Sequence, residues 1–241
     1  MLFFAFNPIL VAAAVIPALL LLIYVYRADR LEPESPRLLF VLVIEWIIST
    51  ALAVFTETIG ETVLGWFLNE DSVAYLAWLY FLVVGLSEEG FKYLLLKRKT
   101  WKNPSFDCQF DGVVYAVFVS LGFALWENID YVILYGFGTA VLRAVTAVPG
   151  HACFGVFMGA WYGLAKKLEN EGRIKLSKTC RRMSLLTAVL LHGTYDFVAS
   201  IEIEGCGWFF AAFVAVLFLA AWITIRRLSG KDRYIGRGGY R

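Results

Sequence analysis

Seven apolar runs of about membrane-spanning length divide this chain, and almost every cation lies in alternate gaps between them. The runs cover residues 8–26, 37–55, 72–96, 110–135, 140–165, 183–201 and 207–224. The gaps after the first, third and fifth runs, counting Arg37 at the very edge of the second run with the first gap, and the C-terminal segment hold three, four, seven and six of the 22 Lys and Arg. The remaining two, Lys92 and Arg143, lie inside runs, and the opposite gaps hold none. A helix rising 1.5 Å per residue crosses a hydrocarbon core of about 30 Å in about 20 residues. Cationic loops stay on the cytoplasmic side. The expected fold is therefore all-α, a polytopic membrane helical bundle of about seven transmembrane helices, N-terminus outside and C-terminus cytoplasmic. A composition of 60% hydrophobic and 17% charged residues excludes an ordinary soluble domain, which is nearer half apolar and a quarter charged.

The expected organisation is one transmembrane domain over residues 1–228 and a basic, disordered cytoplasmic tail over 229–241. The first run reads as a permanent helix rather than a signal peptide, because no cation precedes it and Arg27 and Arg30 follow it. Residues 57–71, with four acids and no base, read as an outer loop, and 166–182 as a basic inner one. Phe137-Gly138-Thr139 is expected to form a turn, and Pro149-Gly150 to loosen the fifth helix. Cys108, Cys153, Cys180 and Cys206 lack ligand spacing, so no disulfide framework is expected. Gly112, Gly122, Gly155 and Gly159 read as close-packing positions. Trp46, Trp66, Trp78 and Trp208 read as helix-packing or interfacial residues.

The chemistry is concentrated where it is costly. Ser87-Glu88-Glu89-Gly90-Phe91-Lys92 puts two carboxylates and an ammonium inside the third run. Each costs roughly 2.5–3.5 kcal/mol at a helix centre by insertion scales. Such groups persist when they pair, line a wet cavity or do chemistry. At helical spacing Lys92 reaches both Glu88 and Glu89. Further runs carry Glu127, Asn128, Arg143, His151, His192 and Asp196, and the two histidines are the only ones in the chain. His192 and Asp196 are four apart and share a helix face. Arg143 needs an acidic partner, for which Glu45, Glu88 and Glu127 are candidates. Counted from flanking charges, Glu88 and His192 lie about 13 and 15 Å deep, and His151 and Glu127 about 22 and 24 Å. One cluster is compatible with these depths.

Two imidazoles and several carboxylates can hold a divalent metal with an open position, and Glu127, His151 and His192 form one such ligand set. Equally, a glutamate can deprotonate water directly, with the histidines or Asn128 stabilising an oxyanion. Both routes hydrolyse an amide. HExxH and GxSxG are absent. Cys153 reads as an apolar filler, and Asp111 as a carboxylate at a helix start. Intramembrane Glu, Lys, Arg and His also build proton-coupled or ion-conducting transporters. A scaffold holding a partner helix is the third reading.

Taken in order, Glu88-Glu89-x-x-Lys92, Phe110-Asp111-Gly112-x-x-Tyr115, Gly122-Phe123-Ala124-x-x-Glu127-Asn128, Arg143 with His151, and His192-x-x-x-Asp196 resemble the PrsW family of intramembrane proteases. Asp29-Arg30-Leu31-Glu32-Pro33-Glu34 resembles its first cytoplasmic loop, so the likeness covers about residues 25 to 200. That family is similar to the glutamate-dependent group of CAAX-prenyl endopeptidases and Abi/CPBP proteins. The resemblance implies an endopeptidase of the plasma membrane that cuts membrane-bound, anti-sigma-factor-like proteins by glutamate-activated water. It implies Glu88 and Glu89 as acid and base, and His151 and His192 as metal ligands or oxyanion donors. Glu127 and Asn128 complete that site, with Lys92, Asp111, Arg143 and Asp196 in support. A bound metal, if used, is expected to be zinc. The implied partners are the bilayer and a membrane protein substrate, not nucleic acid; the oligomeric state is left open. Ala116 and Asp196 depart from the family pattern of glycine and asparagine, and short outer loops imply recognition within the membrane.

Overall fold

The computed structural model describes residues 8–44, 46–201 and 206–235. The first long helix, α1, is Pro8–Ala28. Pro36–Ile44 (α2) and Trp46–Gly65 (α3) follow in one membrane-length segment. Val73–Trp78 (α4) passes through a wide π-helical turn, Leu79–Val84, into Gly85–Thr100 (α5). Asp111–Tyr135 is α6, and Phe137–Val145 (α7) and Ala147–Asn170 (α8) make the next segment. Ile174–Ser200 (α9) and Cys206–Gly230 (α10) complete the bundle.

A polytopic all-α bundle is thus what forms. Among the described residues, six helical segments are long and apolar enough to cross a membrane. The expected sixth span lies within α9, whose first half carries Lys175, Lys178, Arg181 and Arg182 and whose second half carries His192 and Asp196. Those charges take α9 out of the apolar class.

Residues 111–124 are all buried, so α6 forms the axis of the bundle. Glycine lets α8 lie directly against it. A Cβ at Gly159 would stand 2.4 Å from the Gly112 carbonyl oxygen, and one at Gly155 would stand 3.0 Å from that of Ala116. Small residues at this spacing allow backbone-to-backbone approach. Outward faces are apolar instead: Phe40, Phe55, Leu94, Leu134 and Val216 are exposed, as a hydrocarbon surround permits. Trp66, Trp78 and Trp208 are exposed too, so they do not pack the interior; the side chain of Trp46 lies outside the described residues.

Four local expectations are corrected. The acidic stretch after residue 57 remains helical to Gly65, because Glu57 and Glu61 continue one helix face. The inner segment 166–182 is mostly helix, with its turn at Gly172 (φ 77°). The turn before α7 is made by Gly136, whose φ of 82° suits glycine. The break in the fifth segment falls at Thr146 (φ −124°, ψ −72°). Pro149 and Gly150 sit just after it, in the first turn of α8, where proline's missing N–H is tolerated.

Residues 229–235 of the expected tail are docked on the bundle. The Ile235 amide donates to the Asp107 carbonyl at 2.6 Å, its side chain is buried, and Asn170 Nδ2 donates to the Ile235 carbonyl. Ser229 Oγ donates to the Ala28 carbonyl. The chain following α1, α5 and α8 therefore meets the C-terminal segment at one end of the bundle. This is the same set of segments that carries the basic residues.

Candidate active site

The wide turn aims α5 at the site. The Gly85 amide donates to the carbonyl of Tyr80, five residues back. The turn packs on α9: a Cβ at Gly193 would stand 2.6 Å from Phe81 Cδ1. Glu88 and Glu89 are thereby brought against His192, and α8 supplies His151 from the other side. The rings of His151 and His192 meet edge to face with centroids 5.1 Å apart. Phe154 stacks on His192 at 5.0 Å.

Lys92 stands at the centre, fully buried. Its Nζ donates to Glu88 Oε2 at 3.0 Å, to Glu89 Oε1 at 2.8 Å and to His151 Nδ1 at 3.2 Å, and lies 4.0 Å above the Phe123 ring. An ammonium only donates, so Nδ1 of His151 accepts and the ring proton belongs on Nε2. Nε2 in turn donates to Glu127 Oε2 at 2.8 Å. His192 faces an acid on each side, Glu89 Oε1 at 2.9 Å from Nδ1 and Asp196 Oδ2 at 3.1 Å from Nε2. Carboxylates only accept, so a ring protonated on both nitrogens satisfies both. Glu89 Oε2 is buried with no hydrogen-bond partner.

Arg143 pairs with Glu127 at 3.1 Å, selecting it among the three candidate acids; Glu45 lies outside the described residues. Asn128 holds Arg143 in place by accepting from its Nε at 3.1 Å and donating to the Ala14 carbonyl at 2.8 Å. Asn128 is absent from the lining of the cavity above the cluster. That cavity, about 460 Å³, is lined by Glu88, Glu127, Arg143, His151, His192 and Asp196, while Glu89 lies behind it.

Sequence reasoning missed the acids from α3. Thr50, Val54, Glu57 and Glu61 line the same cavity. Their spacing of four, three and four is one helix face, and that periodicity was the available signal. Asp111 is not in this cluster. Its Oδ2 accepts from the amides of Asp107 and Cys108 at 3.0 and 2.7 Å. Nearby, Tyr115 donates to Glu34, joining two of the sequence motifs. Burial pushes the carboxyls of Glu34 and Asp29 up to about 7 and about 6, aided for Asp29 by the Asp232 charge. Cys108, Cys153 and Cys180 are free thiols.

Glu88, Glu89, His151 and His192 each offer a donor atom within 4.8 Å of the others. Imidazole nitrogen and carboxylate oxygen are donors that transition metals accept, and the unpartnered Glu89 oxygen is unexplained by protein contacts. The set fits a metal in donor type and spacing once the Lys92 ammonium leaves these oxygens and His192 gives up its Nδ1 proton, since a doubly protonated ring has no lone pair to offer. Glu127 is outside this converging group, since it meets the other nitrogen of His151.

The architecture and site define a multi-pass membrane protein with a buried acid–base centre. Residues 34–223 match the family described as PrsW family intramembrane metalloprotease. Protease PrsW of Oceanobacillus iheyensis is 36% identical over 78% of this chain and 82% of its own. Protease PrsW of Geobacillus kaustophilus is 35% identical over 93% of this chain and 94% of its own, and that of Bacillus subtilis 31% identical over 78% and 82%. No solved structure matches. The fold and these relatives define an intramembrane protease of the bacterial plasma membrane, acting on protein substrates in a lipid bilayer. The chain belongs to the PrsW family.

Proposed function

We propose that Glu88 activates the water that cleaves a membrane-bound protein substrate. The observation carrying this reading is asymmetry within the pair: Glu88 lines the cavity, whereas Glu89 lies behind it, enclosed by Lys92 and His192. A peptide carbonyl entering the cavity meets Glu88 on one side and the two imidazoles on the other. Glu88 takes a proton from water as its oxygen bonds to the carbonyl carbon. The oxyanion is stabilised by the N–H groups of the histidines, released from Glu127 and Asp196 as the carbonyl enters, and worth about 3–4 kcal/mol per donor. Glu88 returns the proton to the amide nitrogen as the C–N bond breaks. Glu89 and Lys92 hold His192 and Glu88 in place, and Asn128 positions Arg143. Glu88, Glu89, His151 and His192 would hold a metal, zinc by donor type. Such an ion supplies Lewis acidity and a more acidic water.

Residues 1–228 form the catalytic unit in this reading, with α9 as a seventh crossing and the basic end in the cytoplasm. Substrates are single-span membrane proteins, and the resemblance supplies anti-sigma-factor-like proteins as candidates. The test is reconstitution of wild type, Glu88→Gln and Glu89→Gln in liposomes with tagged single-span proteins. Cleavage is read by intact mass with and without chelator. Glu88→Gln should lose about 100-fold or more of the rate while keeping its fold. Wild-type cleavage by that variant would remove Glu88 from the chemistry.

A further inference from the structure

A second group of acids sits at the basic end of the bundle, away from the catalytic cluster. Asp29 follows α1, Asp111 opens α6, and Asp232 follows α10. Each offers an oxygen within 4.8 Å of the others'. Asp29 is 4% exposed, and its carboxylate oxygens make no close hydrogen bond, the Glu34 amide being the donor that acts on them from farther off. Asp111 is equally enclosed, with Oδ2 committed to the amides of Asp107 and Cys108. Asp232 Oδ1 accepts from the Phe110 amide at 3.0 Å, while Oδ2 is buried and unpartnered. The charges acting on Asp29 are those of Asp232, Glu32 and Asp107, all negative.

Buried carboxylates without a counter-charge are costly, and three that converge are more so. Basic residues are plentiful at this end, yet among the described residues none forms an ion pair with these three. We propose that Asp29, Asp111 and Asp232 bind a hard divalent cation of the magnesium or calcium class, and that this cation clasps the C-terminal tail to the bundle. The donors are all oxygen, which selects hard ions. The three segments they join are the α1–α2 loop, the start of α6 and the tail. These are also the segments tied by the Ser229–Ala28, Ile235–Asp107 and Tyr115–Glu34 hydrogen bonds. The cation takes the place that a lysine or arginine would fill in a protein-only clasp. The acids of the first loop and of the Phe110-Asp111-Gly112 motif thereby acquire a role separate from peptide cleavage.

Trypsin supplies the test, because Lys231 and Arg233 are exposed on the docked tail. Full-length protein in detergent is digested in EDTA, magnesium or calcium, and cuts after these two residues are timed by intact mass. Wild type, Asp29→Asn, Asp232→Asn and Glu89→Gln are compared. At about a hundred times the cation's Kd, release should slow about 100-fold for wild type and for Glu89→Gln. Both aspartate variants should ignore the cation. In EDTA, Asp29→Asn should hold the tail at least as firmly as wild type, since one repelling charge is gone; this separates a lost ion from a lost fold. A wild type indifferent to both cations overturns the proposal. So does protection that persists in both aspartate variants. Protection lost only in Glu89→Gln overturns it as well, by assigning the effect to the catalytic cluster. The cation that protects at the lower concentration identifies the ion.

Discussion

Replacing Lys92 by methionine keeps an unbranched side chain one atom shorter and removes one charge from the middle of the bundle. Nζ lies 3.0 and 2.8 Å from the oxygens of Glu88 and Glu89 and is fully shielded from solvent. At an effective dielectric of about 20, each pair gains about 6 kcal/mol of gross attraction. Desolvating the ions offsets much of it, at several kcal/mol per ion. The substitution removes the attraction and leaves the carboxylates buried, which costs about 3–5 kcal/mol. His192 stays beside Glu89 as a remaining partner and keeps the loss from rising further. At about 2–4 °C per kcal/mol for a chain of this size, the thermal midpoint should fall by about 6–20 °C. Tryptophan fluorescence of the protein in nanodiscs reads that midpoint. The double variant Lys92→Met/Glu89→Gln should recover at least about 1 kcal/mol relative to additivity, because the orphaned charge goes with its partner. A fall below about 2 °C would mean that the pair behaves as a solvated surface contact. That result, or strict additivity, would refute the reasoning.

Three further outcomes are expected. Gly159→Ala places a methyl 2.4 Å from the Gly112 carbonyl oxygen and should cost about 1–3 kcal/mol; Gly90→Ala meets open space and should stabilise slightly, both read as thermal midpoints. Asp196→Asn should slow cleavage about 10–100-fold with little change in the midpoint, because it removes the acid 3.1 Å behind His192. Glu34 stays neutral longer in the fold than out of it, with its carboxyl raised from 4.5 to about 7. Its stabilising contribution is complete below about pH 4.5 and is lost as pH rises through about 7, at most about 3 kcal/mol. In chelator, a pH series of thermal midpoints for wild type and Glu34→Gln checks this, and an identical slope in both would contradict it.

Charge and hydropathy made the bundle legible. The cost of burying polar groups made most of the site legible, since Glu88, Glu89, Lys92, His151 and His192 are too expensive to sit idle in hydrocarbon. Partner choice was less accessible: Arg143 had three acids at suitable depth, and only the packing of α7 against α6 selects Glu127. Glu57 was hidden because an acidic stretch beside an apolar run looks like a loop. Its side chain instead lines a polar cavity, where one carboxylate oxygen is buried without a hydrogen-bond partner, so the helix continues in place of a loop. The break at Thr146 was displaced from the proline expected to cause it, because proline disrupts the turn before itself. Residues 229–235 looked disordered by composition, yet the buried side chain of Ile235 and a few loop hydrogen bonds hold them against the bundle.

The π-helical turn before Gly85 constrains how chains of this kind can differ in length. An α-helix turns about 100° per residue, so closing the turn to α geometry without removing a residue, or removing one from 79–84 while the turn stays wide, would rotate everything beyond it. Tyr75 would keep its place, while Glu88 would swing off the cavity and point at α6 or at lipid. Gly85 guards the same register, because a Cβ there would stand 2.7 Å from the Tyr80 carbonyl oxygen that the turn employs. An insertion or deletion that leaves the wide turn in place is therefore not a neutral change of loop length. It acts as a frameshift in space, leaving every side chain of the candidate site in the sequence and moving one of them off the cavity.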